Sequence, residues 1–147
     1  ELGFPATLLN MGLVGLVGMS YTLLVGGDFN GPTLGGVLTM VGFAAFGKHL
    51  LNIWPIMTGV YLGSLLSVWQ PNEPAVVLAA LFGTTLAPIA GGFGALIGIV
   101  AGTIHLAVVM HSGSFHRGMN LYNNGFAGGI VATLFAGLNR WLKQRNG

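Results

Sequence analysis

Cysteine is absent and charge is scarce: the 147 residues carry only three acidic and five basic side chains. The first absence rules out disulfides and thiolate-held metals, although it names no compartment. The second excludes more. Charged residues make up 5% of the chain, against about 25% in a soluble domain. That is too few to cover a surface facing water, and with 53% of the chain hydrophobic the apolar surface has to face lipid. The cations form no stripe, which leaves a nucleic-acid partner without a footing. The acids, Glu1, Asp28 and Glu73, are too scattered for an acid/base pair.

Motifs of chemistry are missing too. Ser112 and Ser114 sit in no nucleophile motif, and Lys48 follows Gly47 without the Ser or Thr of a phosphate-binding loop. The four histidines, His49, His105, His111 and His116, lack the three- or four-residue spacing of a helical metal site. The chain therefore reads as a non-enzyme with no metal and no cofactor. Only His105 falls well inside an apolar run, where an ionisable group is a candidate for a proton relay or solute contact. His111, His116 and Arg117 read as an interfacial loop suited to anions or lipid headgroups.

What is present is apolar runs, at about 8–25, 34–47, 53–69, 75–87, 93–110 and 126–142. A full helical crossing takes about 20 residues. The first, third, fifth and sixth runs approach that length. The second and fourth are short enough to be tilted spans, half-helices or re-entrant segments. Pro88, followed by Gly91 and Gly92, predicts the end of one helix and the start of another. Trp54, Trp69 and Trp141 lie near predicted ends, as interfacial aromatics do. No signal peptide is visible, because residues 8–25 lack a basic leader. With six crossings, Lys48, Arg140, Lys143 and Arg145 share one side and Arg117 lies opposite, which predicts two cytoplasmic termini in the cell's inner membrane.

Glycine is abundant, at 26 residues. Gly94, Gly98 and Gly102 recur every fourth position, and Gly12, Gly15 and Gly18 make a looser stripe; both suit close helix approach. The first stripe, with the small size of the module, predicts a homo-oligomer or pairing with a second copy.

The most informative pattern is a phrase that occurs twice. Asn30-Gly31-Pro32-Thr33-Leu34-Gly35-Gly36 returns as Asn124-Gly125-Phe126-Ala127-Gly128-Gly129. Each copy sets turn-forming residues before an apolar run, the pattern of a helix start. One copy alone is an ordinary cap. Two copies, each starting a helix near mid-membrane from opposite sides, would make a neutral hydrogen-bonding site for a small polar solute. The predicted site residues are Asn30, Gly31, Thr33, Tyr122, Asn123, Asn124 and Gly125.

In these two stretches, the first extending to Gly47-Lys48-His49 and the second beginning at Met119-Asn120-Leu121-Tyr122, the chain resembles a bacterial multi-span membrane family known as domain of unknown function 1576. The likeness covers most of the chain and implies a membrane module that some members carry twice; it implies no activity. Asn30-Gly31-Pro32 and Tyr122-Asn123-Asn124-Gly125 also resemble, more faintly, two elements of urea transporters, although here a Gly separates Asn from Pro. The expectation is an all-α membrane protein of about six transmembrane or half-membrane helices. Residues 1–147 form one module, a half or repeat of a longer protein being compatible with its size. Its function is read as a transporter or channel for a small polar solute, the alternative being a non-transporting subunit that packs with partner helices.

Overall fold

The computed structural model describes residues 3–112 and 123–146. All regular structure among them is helical: α1 (Gly3–Leu24), α2 (Gly31–Ala44), α3 (Leu50–Leu65), α4 (Pro74–Gly83), a 3₁₀ turn (Thr84–Leu86), α5 (Ala87–Phe93), α6 (Ala95–Ser112) and α7 (Asn123–Asn146). The 3₁₀ turn joins α4 to α5 as one broken segment, so the eight pieces form six passes.

Their directions alternate. Gly18 faces Val37 and Met40 while Gly15 faces Val41, so α1 and α2 are antiparallel. Gly59 lies on Ile99 and Gly63 on Thr103, so α3 and α6 run parallel. Asn123 reaches Val109, while Val131 and Phe135 pack with Ala101, which sets α7 antiparallel to α6. The start of α1 and the end of α7 thus share one end of the bundle with the connection between α2 and α3.

Among the described residues, three helical segments are long and apolar enough to cross a membrane: Gly3–Leu24, Pro74–Phe93 and Ala95–Ser112. This corrects the expected lengths. The third pass is shorter than expected, because α3 ends at Leu65 and Trp69 lies beyond it. The fourth is longer. Pro88 does mark a helix start, but in the first turn of α5 its missing N–H costs nothing, so the pass continues to Phe93. It ends at Gly94, whose φ of 89° favours glycine. The sixth has ample length, but Asn123 and Asn124 open it and Arg140, Lys143 and Arg145 lie near its end, leaving it less apolar. Outward-facing Phe4, Leu24, Phe46, Leu51 and Leu66 are all more than 70% exposed, as lipid contact allows.

The glycine stripe is used inside the chain. A Cβ on Gly102 would run into the Ile56 carbonyl oxygen, one on Gly59 into that of Ile99, and one on Gly98 would lie 2.8 Å from Pro55 Cβ. α3 and α6 therefore meet backbone to backbone, and the Thr103 hydroxyl donates across the seam to the Gly59 carbonyl at 2.9 Å. The stripe accordingly offers no argument for an oligomer.

Polar side chains hold the connection between α2 and α3. Asn10 Nδ2 donates to the carbonyls of Ala44 (3.0 Å) and Lys48 (2.7 Å), and Asn52 Nδ2 to that of Gly47 (3.0 Å). Asn10→Ala would leave the last carbonyl of α2, at Ala44, and the Lys48 carbonyl of the connection short of a donor. We expect it to cost about 1–3 kcal/mol, read as a lower melting temperature in detergent with helical content kept.

Candidate functional site

The two copies of the repeated phrase end in different surroundings. Asn30 is the N-cap of α2, and its Oδ1 accepts from the Thr33 backbone N–H and from the Thr33 hydroxyl, both at 3.0 Å. The cap follows from local chemistry: Asn with Pro32 two residues on is a strong helix start. Asn30 and Gly31 are nevertheless exposed, and only Thr33 is buried.

Asn123 and Asn124 open α7 against α6 instead. Asn123 is buried; its Nδ2 donates to the Val109 carbonyl at 2.7 Å and its Oδ1 accepts from the Ser112 hydroxyl. Asn124 is partly buried and its Oδ1 has no hydrogen-bond partner among the described residues. Gly125 is exposed, and Tyr122, His116 and Arg117 lie outside the described residues.

The expected meeting of Asn30 and Asn124 from opposite sides is not formed. α2 and α7 run in the same direction, so both starts lie at the same end of the bundle; α2 packs on α1 and α4, whereas the start of α7 packs on α6. The Asn30 side chain is spent on its own helix.

His105 is where the polar surroundings gather. It is fully buried on α6, and neither ring nitrogen has a well-formed hydrogen bond among the described residues. Its ring packs so closely on Gly83 that a Cβ there would come within 2.9 Å of His105 Cδ2. The Asn124 carboxamide lies beside the imidazole, too poorly aligned for a hydrogen bond.

Gly83 is the last residue of α4 before the 3₁₀ turn, and the next residue, Thr84, carries a second polar contact. Lys48 extends from the α2–α3 connection into the bundle and places Nζ 2.9 Å from Thr84 Oγ1 and 4.9 Å from the centre of the Phe43 ring. The Thr84 hydroxyl itself donates to the Leu81 carbonyl at 2.6 Å. Lys48 is only 7% exposed.

Lys48 and Thr84 were not among the predicted site residues. In the sequence Lys48 marks topology, and Thr84 lies in an apolar run 36 residues away. The one available signal was Thr84-Thr85 just before Pro88, a polar pair where a helix is about to break.

Clefts among the described residues include the following two. One of about 460 Å³ lies between α1 and α3, lined by Tyr21, Trp54, Met57 and Tyr61 among others. The other, of about 360 Å³, lies between α6 and α7, lined by Ile104, Val108, His111 and Phe126 among others. Neither includes Asn30, Asn124, Gly83 or Thr84.

Among known proteins, the family described as "Protein of unknown function (DUF1576)" matches residues 2–141. No curated protein and no solved structure matches the chain. The resemblance to urea transporters finds no support in these comparisons.

Proposed function

From the premise that the chain belongs to the DUF1576 family, which carries no assigned activity, we propose that it is a membrane transport module for a small polar solute. The observation that carries this reading is the convergence of polar side chains from three other segments on one interrupted helix. Lys48 reaches Thr84, His105 packs on Gly83, and Asn124 lies beside His105. Buried polar groups are costly in lipid unless hydrogen-bonded, so those kept there mark candidate sites, and broken helices are where transporters place their sites. In this reading His105 and Asn124 contact the solute, Asn123 and Ser112 hold the start of α7 in place, and Asn30 and Thr33 serve as a cap.

The competing class, a non-transporting subunit, is favoured by the close glycine-mediated seam between α3 and α6. Flux separates the two. Vesicles holding the purified protein are expected to take up small polar solutes faster than empty vesicles, and Asn124→Leu should lower that rate while the protein still assembles. Equal uptake by loaded and empty vesicles, over a panel of neutral and singly charged solutes, would reject transport.

The same reading places the module in the cell's inner membrane with both termini in the cytoplasm, since Lys48 and the basic end of α7 share one end of the bundle. With no native cysteine, single cysteines introduced at positions 2 and 146 report the orientation. An impermeant thiol reagent should label both only after the cells are opened; labelling in intact cells would reverse the topology.

A further inference from the structure

Lys48 is the least expected charge in the molecule. Its amine lies beside Thr84, at the middle of the segment Pro74–Phe93, and the residue is 7% exposed. An ammonium has three N–H groups. One meets Thr84 Oγ1 and another side of the ammonium faces the Phe43 ring. The neighbouring amides are already committed: Asn10 to the Ala44 and Lys48 carbonyls, and Asn52 to the Gly47 carbonyl and the His49 N–H.

Among the described residues, no carboxylate balances the charge. No ion pair to Lys48 is formed among the described residues, and Asp28 and Glu73 belong to the opposite end of the bundle, near the starts of α2 and α4. The titratable groups around it are His49, which is exposed and precedes α3, and His105, which faces the neighbouring Gly83 from α6. α1 contributes Asn10 and α2 contributes Phe43, neither of which titrates near neutral pH.

A lone buried cation is stable in only two ways: it loses its proton, or an anion joins it. We infer that Lys48 and Thr84 form a binding site for a monovalent anion, chloride or a short carboxylate, which is taken up together with a proton. One positive charge in a low-dielectric interior is neutralised by one negative charge, and a divalent anion would leave a net charge behind. The Thr84 hydroxyl, which now donates to the Leu81 carbonyl, is free to rotate toward the anion. The inference names the solute class for the transport reading and rests on that reading only for the claim that the bound anion is carried.

The test exploits the presence of just two lysines, Lys48 and the exposed Lys143. In full-length protein held in lipid nanodiscs and labelled at lysine Cε and Nζ, magnetic resonance follows both amines through a pH titration. Proton and anion binding at one site are linked, so each favours the other. Saturating acetate or chloride is expected to raise the Lys48 midpoint by about one pH unit or more, a tenfold gain in proton affinity, with Lys143 unmoved. Sulfate at the same ionic strength should leave Lys48 in place, and Thr84→Val should reduce the acetate effect. A Lys48 midpoint indifferent to all three anions would overturn the site, as would one that moves equally with sulfate. If the midpoint follows acetate but vesicles carry no solute, the anion site stands and the transport reading falls. Flux with an indifferent Lys48 sinks the anion site alone.

Discussion

Gly102→Ala is expected to prevent the bundle from assembling. The added methyl would meet the Ile56 carbonyl oxygen, a backbone atom that no rotamer change can move aside. α3 and α6 have to separate for it to fit, and that would open the seam in which Ile56, Ala101 and Val60 are buried. Ordinary overpacking costs about 1–3 kcal/mol; a clash with backbone belongs above that range. Gly59→Ala, which strikes the Ile99 carbonyl from the other side of the same seam, should behave alike. Gly129→Ala is the control, because it has open space around it in the middle of α7 and should be neutral or stabilise by about 0.5–1 kcal/mol. Yield, helical circular dichroism and elution as a single species measure all three. Normal assembly of both Gly102→Ala and Gly59→Ala would show that the seam is looser than the structure has it.

Those glycines also show how far the sequence could be read. The spacing of Gly98 and Gly102 marks a face made for close approach, and that was correct; whether the approaching helix came from the same chain was not encoded in the spacing. The answer lay 40 residues away at Ile56 and Gly59, which look like ordinary members of an apolar run. Asn30 was legible as a cap because capping chemistry is local: the acceptor, the Thr33 N–H and Pro32 lie within four residues. Pro88 was legible as a helix start for the same reason. The contacts of Lys48 with Thr84 and of His105 with Gly83 were not legible, since each joins segments more than 20 residues apart and depends on how the passes are arranged. The two Asn-Gly phrases share a helix start but not its surroundings, which local sequence does not encode. One is capped and exposed, the other is packed against Val109 and Ser112.

His105→Leu separates a working site from polar packing more sharply than any other substitution. In the folded chain both ring nitrogens are buried without a well-formed hydrogen bond, as is Asn124 Oδ1. A polar group left unsatisfied in this way costs about 1–3 kcal/mol. If His105 only fills space, an apolar side chain of similar size relieves that cost, and the variant should melt higher with any activity unchanged. If His105 contacts the solute, stability should still rise while uptake into vesicles falls by about tenfold or more, since the site loses a hydrogen-bonding partner for the solute. Stability and function would then move in opposite directions, as they do where a site is kept at the expense of the fold. Asn124→Leu should show the same divergence, and the double variant should lose little more uptake than either alone, because residues that contact one solute do not act independently. A stabilised His105→Leu protein with full uptake would remove His105 from the site and leave the Lys48–Thr84 contact as its remaining centre.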